Sequence, residues 1–308
     1  MDISIIIPLY NERENVKLIG DQLYAELSKT GKSFEIIFVD DGSEDNTFVE
    51  LKKLKQRIAH VKIIKLRTNQ GKSTAYNAGF EYCKGDYVIT MDGDLQDDPS
   101  DIPHIIKKIE EGYDVVIGWK HGGKGSLSRT VPSICFNLLV SLFTGLKIHD
   151  VNCPFRIFKR HALKNIYLYG ELYRFIPVLL YRRGYRIAEV PVKNNPRRFG
   201  RSKYGISRFM KGVLDLVTLL FLSHYTDRPL HLFGFGGILL LMTGFCLDTF
   251  LALRGLFVTG KIGHQSALLL GVFLMIVGIQ FISIGLLGEL LINRLKSDNK
   301  DYNVEEIL

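Results

Sequence analysis

The sequence predicts an α/β fold: a doubly wound, mostly parallel sheet, then an interfacial amphipathic helix and a two-helix transmembrane hairpin. Three observations lead there. Short β-branched runs alternate with amphipathic stretches through residues 1–118, the alternation of a parallel sheet. Polar clusters end three of those apolar runs, and open α/β sheets bind ligands beyond the carboxyl ends of their strands. Two long apolar segments lie near the end of the chain. At about 1.5 Å per residue each can cross the roughly 30 Å hydrocarbon core.

Taken in order, strands are expected near 3–7, 34–39, 61–66, 86–91 and 113–118, and helices near 12–29, 44–58, 72–83 and 100–111. Ser43 is placed to cap a helix beginning near Glu44, and Pro99 suits a first helical turn. Beyond residue 118 the pattern loosens. Gly122, Gly123 and Gly125 mark a mobile loop. A helix over Arg129–Thr144, a strand over Phe155–Lys159 and a helix over Glu171–Arg183 follow. Residues 1–204 form the expected catalytic domain, and 205–229 a helix and linker.

In Gly205–Tyr225, Ile206, Phe209, Met210, Val213, Leu214 and Val217 recur at helical spacing, with Arg208 and Lys211 largely elsewhere. Such a helix beside a membrane span lies in the interface; a core helix of the soluble domain is the alternative. The hairpin covers 230–292, with spans 230–253 and 268–292, and 293–308 is a tail. Gly271, Gly278 and Gly285 recur every seven residues. That stripe allows close helix contact in lipid, or reflects only how common glycine is in membrane helices. Asp248 inside the first span is costly unless paired or near an interface.

The charge distribution sets the orientation. Of the formal net charge of +8 on 308 residues, seven basic residues and no acid fall between Lys193 and Lys211. Arg294, Lys296 and Lys300 follow the second span, whereas the connection carries only Arg254 and Lys261. The positive-inside rule places the α/β domain and both termini in the cytoplasm. A nucleic-acid surface is disfavoured: no zinc spacing or aromatic-interleaved motif accompanies the basic run. Cys83, Cys135, Cys153 and Cys246 show neither paired nor CxxC spacing, as expected of reduced thiols. Ile3–Leu9 is too short for a signal peptide. Oligomeric state stays open, a homo-oligomer included.

The chemistry concentrates at Asp92-Gly93-Asp94, directly after Tyr87-Val88-Ile89-Thr90-Met91. Two carboxylates one residue apart at a strand end suit a hard divalent cation, Mg²⁺ or Mn²⁺, that keeps positions open for substrate oxygens. Asp and Gly also make ordinary turns. Val39-Asp40-Asp41-Gly42-Ser43 and Ile7-Pro8-Leu9-Tyr10-Asn11-Glu12 end two earlier strands. Asp40 and Glu12 can accept hydrogen bonds from a base or a ribose, with Asp40 weighted above Asp41, which sits in a turn. Lys72 follows Gly71 at a helix start, where N–H groups and an ammonium can face phosphate.

These segments, with Asn69-Gln70-Gly71-Lys72, Met91-Asp92-Gly93-Asp94-Leu95-Gln96 and Arg197-Arg198-Phe199-Gly200-Arg201-Ser202-Lys203-Tyr204, resemble the inverting polyprenyl-phosphate glycosyltransferases of the GT-A fold. Dolichyl-phosphate mannosyltransferase and bactoprenol glucosyltransferase are examples, and the paired spans look like the latter. No QxxRW motif of processive synthases is present. The resemblance implies that Pro8, Tyr10, Glu12, Asp40 and Lys72 line a nucleotide-sugar pocket. Asp92, Asp94 and Gln96 would hold the metal, although Gln96 can equally face solvent. Asp94 and Asp150 would stand at the reaction centre, Asp150 as a base, as a stabiliser of an oxocarbenium-like transition state, or paired with Arg156. The acceptor phosphate falls to Arg129, Arg198, Arg201 and Lys203, whose guanidinium and ammonium groups suit it; attraction to anionic lipid is the other reading. His121, His149 and His161 lack metal-ligand spacing.

The expected protein is therefore an integral enzyme of the cytoplasmic membrane that transfers one hexose from a nucleotide sugar to a polyprenyl phosphate such as undecaprenyl phosphate. UDP-glucose is the expected donor; GDP-mannose and modified sugars are the alternatives. A non-catalytic nucleotide-sugar-binding membrane scaffold is the rival of a different class. It would lack an intact carboxylate pair or cradle.

Overall fold

A computed structural model describes residues 1–120, 137–138, 140–142, 144–164, 166–196, 229–259 and 265–296. Arg129, Arg198, Arg201, Lys203, the 122–125 loop and the 205–225 helix lie outside the described residues. Two compact units emerge, Met1–Leu219 and Leu220–Leu308.

In the first unit, β1 (Ile3–Leu9) leads through α1 (Arg13–Lys29) to β2 (Phe34–Asp40), then through α2 (Thr47–Arg57) to β3 (Val61–Lys65). Next, α3 (Lys72–Tyr82) crosses back to β4 (Tyr87–Thr90). β1 and β2 are buried almost throughout, which is why they read as unbroken apolar runs. A 3₁₀ turn at Pro99–Asp101 opens α4 (Ile102–Glu110), with Pro99 in the first turn as expected. β5 (Val115–Lys120), β6 (Arg156–Lys159), a 3₁₀ turn at Leu172–Phe175, α5 (Ile176–Arg182) and β7 (Ile187–Val192) complete the unit.

The sheet order is β3-β2-β1-β4-β6-β5-β7. The chain moves outward from β1 to β3 and then returns to place β4 on the other side of β1. Strand order therefore reverses between β1 and β4, which opens a crevice at their carboxyl ends.

Three details depart from the sequence reading. β6 is antiparallel to both neighbours. Gly118 on β5 donates its N–H to Phe155 O at 2.8 Å, so the chain enters β6 at the end where β5 leaves, and must run back down. β7 is an unexpected strand, because Glu189 and Pro191 interrupt its apolar pattern. It pairs only with β5, at the sheet edge, where a missing N–H costs no ladder bond. Ser43 does not cap α2, which starts at Thr47. Its hydroxyl instead accepts from Asn11 N–H at 3.0 Å and its own N–H donates to Asp40 Oδ1 at 3.0 Å. Gly42, at φ +69° with Thr68 main chain 2.4 Å from where a Cβ would sit, turns the chain too tightly for a helix to begin there.

In the second unit, α6 (Pro229–Arg254) and α7 (Gln265–Lys296) are each long and apolar enough to cross a membrane. The glycine stripe is a contact seam between them. A Cβ on Gly244 would lie 2.4 Å from Gly271 O, and one on Gly278 would lie 2.6 Å from Gly237 O. Asp248 has a buried Oδ1 with no hydrogen-bond partner among the described residues. It packs on Gly271, where a Cβ would fall 2.0 Å from that oxygen. Gly244→Val should weaken the hairpin by about 1–3 kcal/mol through overpacking, read as a lower midpoint of SDS-induced unfolding in mixed micelles. Phe245→Val, on the exposed face, should leave the midpoint within about 0.5 kcal/mol; equal losses would remove the seam.

Candidate functional site

A cleft of about 280 Å³ opens at the carboxyl ends of β1 and β4, lined by Pro8, Tyr10, Glu12, Lys72, Asp92 and Asp94. Asp41, Asn69, Glu171 and Tyr173 also line it. A larger cavity, about 590 Å³, lies at the opposite end of β4 beside Tyr87, Lys159 and Arg160. It contains none of the expected site residues.

The β1 end is held by local chemistry. Asn11 adopts φ +55°, and its Oδ1 accepts from Glu44 N–H at 2.9 Å. A left-handed conformation is one that Asn tolerates better than most residues. Glu12 receives Asn15 Nδ2 on its carboxylate at 2.6 Å and donates its own N–H to Thr47 Oγ1 at 2.9 Å. These bonds fix the turn that presents Tyr10 and Glu12.

At the end of β2, Asp40 is fully buried behind the cleft and, unlike Asp41, does not line it; its Oδ2 has no hydrogen-bond partner among the described residues. A buried acceptor in that condition is costly unless a ligand donates to it. Asp41 takes a different part from the turn residue expected of it. Its carboxylate accepts from Gln70 N–H at 2.8 Å and from Gly71 N–H at 2.9 Å, tying down the loop that leads into α3. Burial raises its pKa, against the two N–H groups that favour the anion.

Lys72, the first residue of α3, forms an ion pair with Asp92. Burial works against its ammonium, but Asp92, Tyr76 and Tyr173 outweigh that and hold its pKa above the usual lysine range. Asp92 is also fixed through the main chain, its N–H donating to Asp97 Oδ2 at 3.0 Å. Asp97 in turn pairs with Lys120 Nζ at 2.8 Å. Burial raises the Asp97 pKa, and Lys120 opposes the rise. Asp94 is 7% exposed and accepts from Gln96 N–H at 3.1 Å. Gln96 itself does not line the cleft; its carbonyl accepts from Asn195 N–H at 2.9 Å.

Asp92 and Asp94 offer two hard oxygen donors in one cleft. No group of three His, Cys, Asp or Glu converges as a cage among the described residues. Two carboxylates with the other positions left to substrate oxygens and water fit Mg²⁺ or Mn²⁺.

Asp150 does not line this cleft. Its Oδ1 accepts from Asn152 N–H at 3.1 Å, and burial raises its pKa against the Asn152 N–H and the charges of Lys120 and Arg156. The ion pair considered between Asp150 and Arg156 is not formed. Arg156 is buried and donates to four main-chain carbonyls: Cys153 at 2.6 Å, Tyr173 at 2.7 Å, Val151 at 2.9 Å and Arg174 at 3.2 Å. Those acceptors flank a guanidinium whose five donors fan in a plane, which one carboxylate could not satisfy. Glu189 on β7 organises the Asp150 turn, accepting from His149 N–H at 2.7 Å and contacting His149 Nδ1 at 2.8 Å. His149 stacks on Trp119 at 4.2 Å, a structural role.

Glu171, Tyr173, Asp97, Lys120 and Glu189 lie outside the sequence motifs. Asp97 carries the one available signal, an acid three residues after Asp94. The partners of the others are set by the fold.

Residues 4–167 match Glycosyl transferase family 2. Dodecaprenyl-phosphate galacturonate synthase of Rhizobium johnstonii is 34% identical over 308 residues, covering 98% of this chain and 91% of that protein. Undecaprenyl-phosphate 4-deoxy-4-formamido-L-arabinose transferase of Yersinia pestis is 36% identical over 289 residues, covering 93% and 87%. Among solved structures, glucosyl-3-phosphoglycerate synthase of Mycobacterium tuberculosis, in complex with Mn²⁺, UDP and phosphoglyceric acid, superposes with a TM-score of 0.58. It is 18% identical and covers 72% of this chain and 78% of that one, a likeness of fold.

Proposed function

The chain belongs to glycosyl transferase family 2, and from that premise we propose that it moves one sugar, with inversion, from a nucleotide sugar to a polyprenyl phosphate at the cytoplasmic face of a membrane. The observation that carries this reading is the pair Asp92 and Asp94, facing one cleft with Pro8, Tyr10, Glu12 and Lys72 at the reversal of strand order.

The roles follow from chemistry. Asp40, with one buried oxygen unpartnered among the described residues, accepts an N–H of the base, and Glu12 accepts from ribose hydroxyls. Asp92 and Asp94, with Gln96 as a further candidate, hold the divalent metal. When bound, the metal neutralises charge that builds on the departing diphosphate. Lys72 adds a cation at the start of α3, where main-chain N–H groups also favour phosphate.

The acceptor phosphate is a nucleophile already, since a monoester with a second pKa of about 6 is largely ionised near neutrality. It needs a cradle, for which we assign Arg129, Arg198, Arg201 and Lys203. To Asp150, which does not line the cleft, we assign an orienting or charge-stabilising part in place of base work, because no proton has to be removed from the nucleophile.

The names of the two relatives point to modified sugars, and this favours a modified sugar over plain glucose as the cargo. A uridine diphosphate donor is proposed on the likeness to the bactoprenol branch. The test is transfer of label by purified protein with undecaprenyl phosphate, from UDP-glucose, UDP-galacturonate, UDP-4-deoxy-4-formamido-L-arabinose and GDP-mannose in parallel. One UDP-sugar should label the lipid. No transfer from any donor in the presence of acceptor and Mg²⁺ or Mn²⁺ would overturn the reading.

We place residues 1–204 and both termini in the cytoplasm, on the positive-inside argument. With the native cysteines replaced, cysteine at Gly260, in the connection between the two apolar segments, should react with an impermeant thiol reagent outside intact cells. Cysteine at Lys55, exposed on α2, should react only after lysis. Reversed labelling would put the active site on the side where nucleotide sugars are scarce.

A further inference from the structure

Lys72 is the single cation among the described residues that line the cleft, where it meets Glu12, Asp41, Asp92, Asp94 and Glu171. It pairs with Asp92, one of the two carboxylates assigned to the metal. An ammonium and a divalent cation cannot share one carboxylate without strong like-charge repulsion in a partly buried cleft. One must give way.

The surroundings let Lys72 be the one that moves. Asp92 is anchored independently, by its N–H to Asp97 and by the Asp97–Lys120 pair, so it stays in place when Lys72 leaves. Lys72 Nζ also lies 5.0 Å from the centre of the Tyr173 ring and 5.9 Å from that of Tyr76. Both aromatic faces attract a cation and already adjoin the ammonium, so it keeps favourable contacts if it leaves Asp92. Its backbone sits at the α3 start, with Gly71 held by Asp41, where an arriving phosphate would be bound.

We infer that Lys72 is an internal counter-cation: it occupies Asp92 while the cleft is without donor and exchanges Asp92 for the diphosphate when metal and nucleotide sugar enter together. The exchange rests on the metal assignment proposed above. It makes metal binding depend on the nucleotide. Metal alone must displace Lys72 without compensation, whereas metal with diphosphate offers the ammonium a new anion. The cleft is thereby biased against holding a metal without its substrate.

The experiment measures Mn²⁺ affinity of the detergent-purified full chain by electron paramagnetic resonance of free Mn²⁺, with and without UDP. Lys72→Met should bind Mn²⁺ alone about tenfold more tightly than wild type, a factor worth about 1.4 kcal/mol. UDP should tighten Mn²⁺ binding far less in Lys72→Met than in wild type. Lys72→Arg, which keeps the charge, should behave as wild type in both respects. Unchanged or weaker Mn²⁺ binding by Lys72→Met overturns the inference and leaves the metal assignment standing. Wild-type Mn²⁺ binding by Asp92→Asn overturns the metal assignment itself.

A second measurement needs no variant. Acetylation of wild-type Lys72 by N-hydroxysuccinimide acetate, followed by mass spectrometry, should rise when saturating Mg²⁺ is added alone and fall again when UDP joins it. Labelling insensitive to Mg²⁺ would overturn the exchange.

Discussion

Asp92→Asn and Asp94→Asn are each expected to lower the sugar-transfer rate by about 10²- to 10³-fold, the scale on which electrostatic stabilisation of a developing charge acts. Both substitutions keep volume and shape. An amide carbonyl at position 94 can still accept from Gln96 N–H in place of Asp94 Oδ1, and the main-chain N–H at position 92 still reaches Asp97. The fold should therefore persist, with thermal midpoints within a few degrees of wild type. What disappears is a negative oxygen for the divalent cation, and at position 92 also the partner of Lys72. The check is initial-rate transfer to undecaprenyl phosphate across a Mn²⁺ titration, with excess chelator as the control. Full activity of both variants, or wild-type turnover in chelator, would remove the metal from the mechanism and revive the binding-scaffold alternative.

Arg156→Met should be the most destabilising single change in the first unit, by about 3–5 kcal/mol, the scale expected when several main-chain carbonyls lose a charged donor at once. Arg156 is 2% exposed and serves carbonyls on two segments, Val151 and Cys153 on one side and Tyr173 and Arg174 on the other. Without it the buried Cys153 and Val151 oxygens lose this donor, each at a cost of about 1–3 kcal/mol before relaxation, and the part-buried Tyr173 and Arg174 oxygens lose theirs. Arg156→Lys should not rescue, because a lysine places its three donors on a single nitrogen and cannot span both segments. The measurement is urea unfolding of the solubilised protein followed by near-ultraviolet dichroism. A loss under about 1 kcal/mol for Arg156→Lys would show that bracing the two segments is not what this residue does. Because Tyr173 lines the cleft, residual folded Arg156→Met should also bind nucleotide sugar more weakly.

Much of the architecture was legible from local pattern alone. β1 and β2 are apolar runs because both faces of a central parallel strand are covered, and burial of that kind shows in composition without any partner being known. The strand-end clusters Pro8–Glu12, Asp40–Ser43 and Asp92–Asp94 were legible for a related reason. Polar residues at the carboxyl end of a buried strand break its apolar run, and in an open α/β sheet that end is where ligands bind. The hairpin was equally plain, since about 20 consecutive apolar residues have few other uses. The seven-residue glycine spacing in α7 left a contact face and mere membrane composition as equal readings, and the contact with Gly237 and Gly244 appeared only with the packed pair.

Direction and partnership were a different matter. Whether Phe155–Lys159 runs with the sheet or against it depends on whether the chain re-enters beside the end of β5 or beside its start, and no side chain encodes that. Glu189 and Pro191 hid β7, because an edge strand is excused from the rules that make central strands recognisable. Ser43 looked like a helix cap until Asn11, 32 positions earlier, claimed its hydroxyl. Lys72 with Asp92, Asp97 with Lys120, and Glu189 with His149 join residues 20, 23 and 40 positions apart. Periodicity and burial preference are local properties of the chain, so the residue types at the strand ends can be read along it. Which of those charges pair cannot, because a salt bridge is a matter of distance in space and of the dielectric around it, and both exist only once the chain has folded.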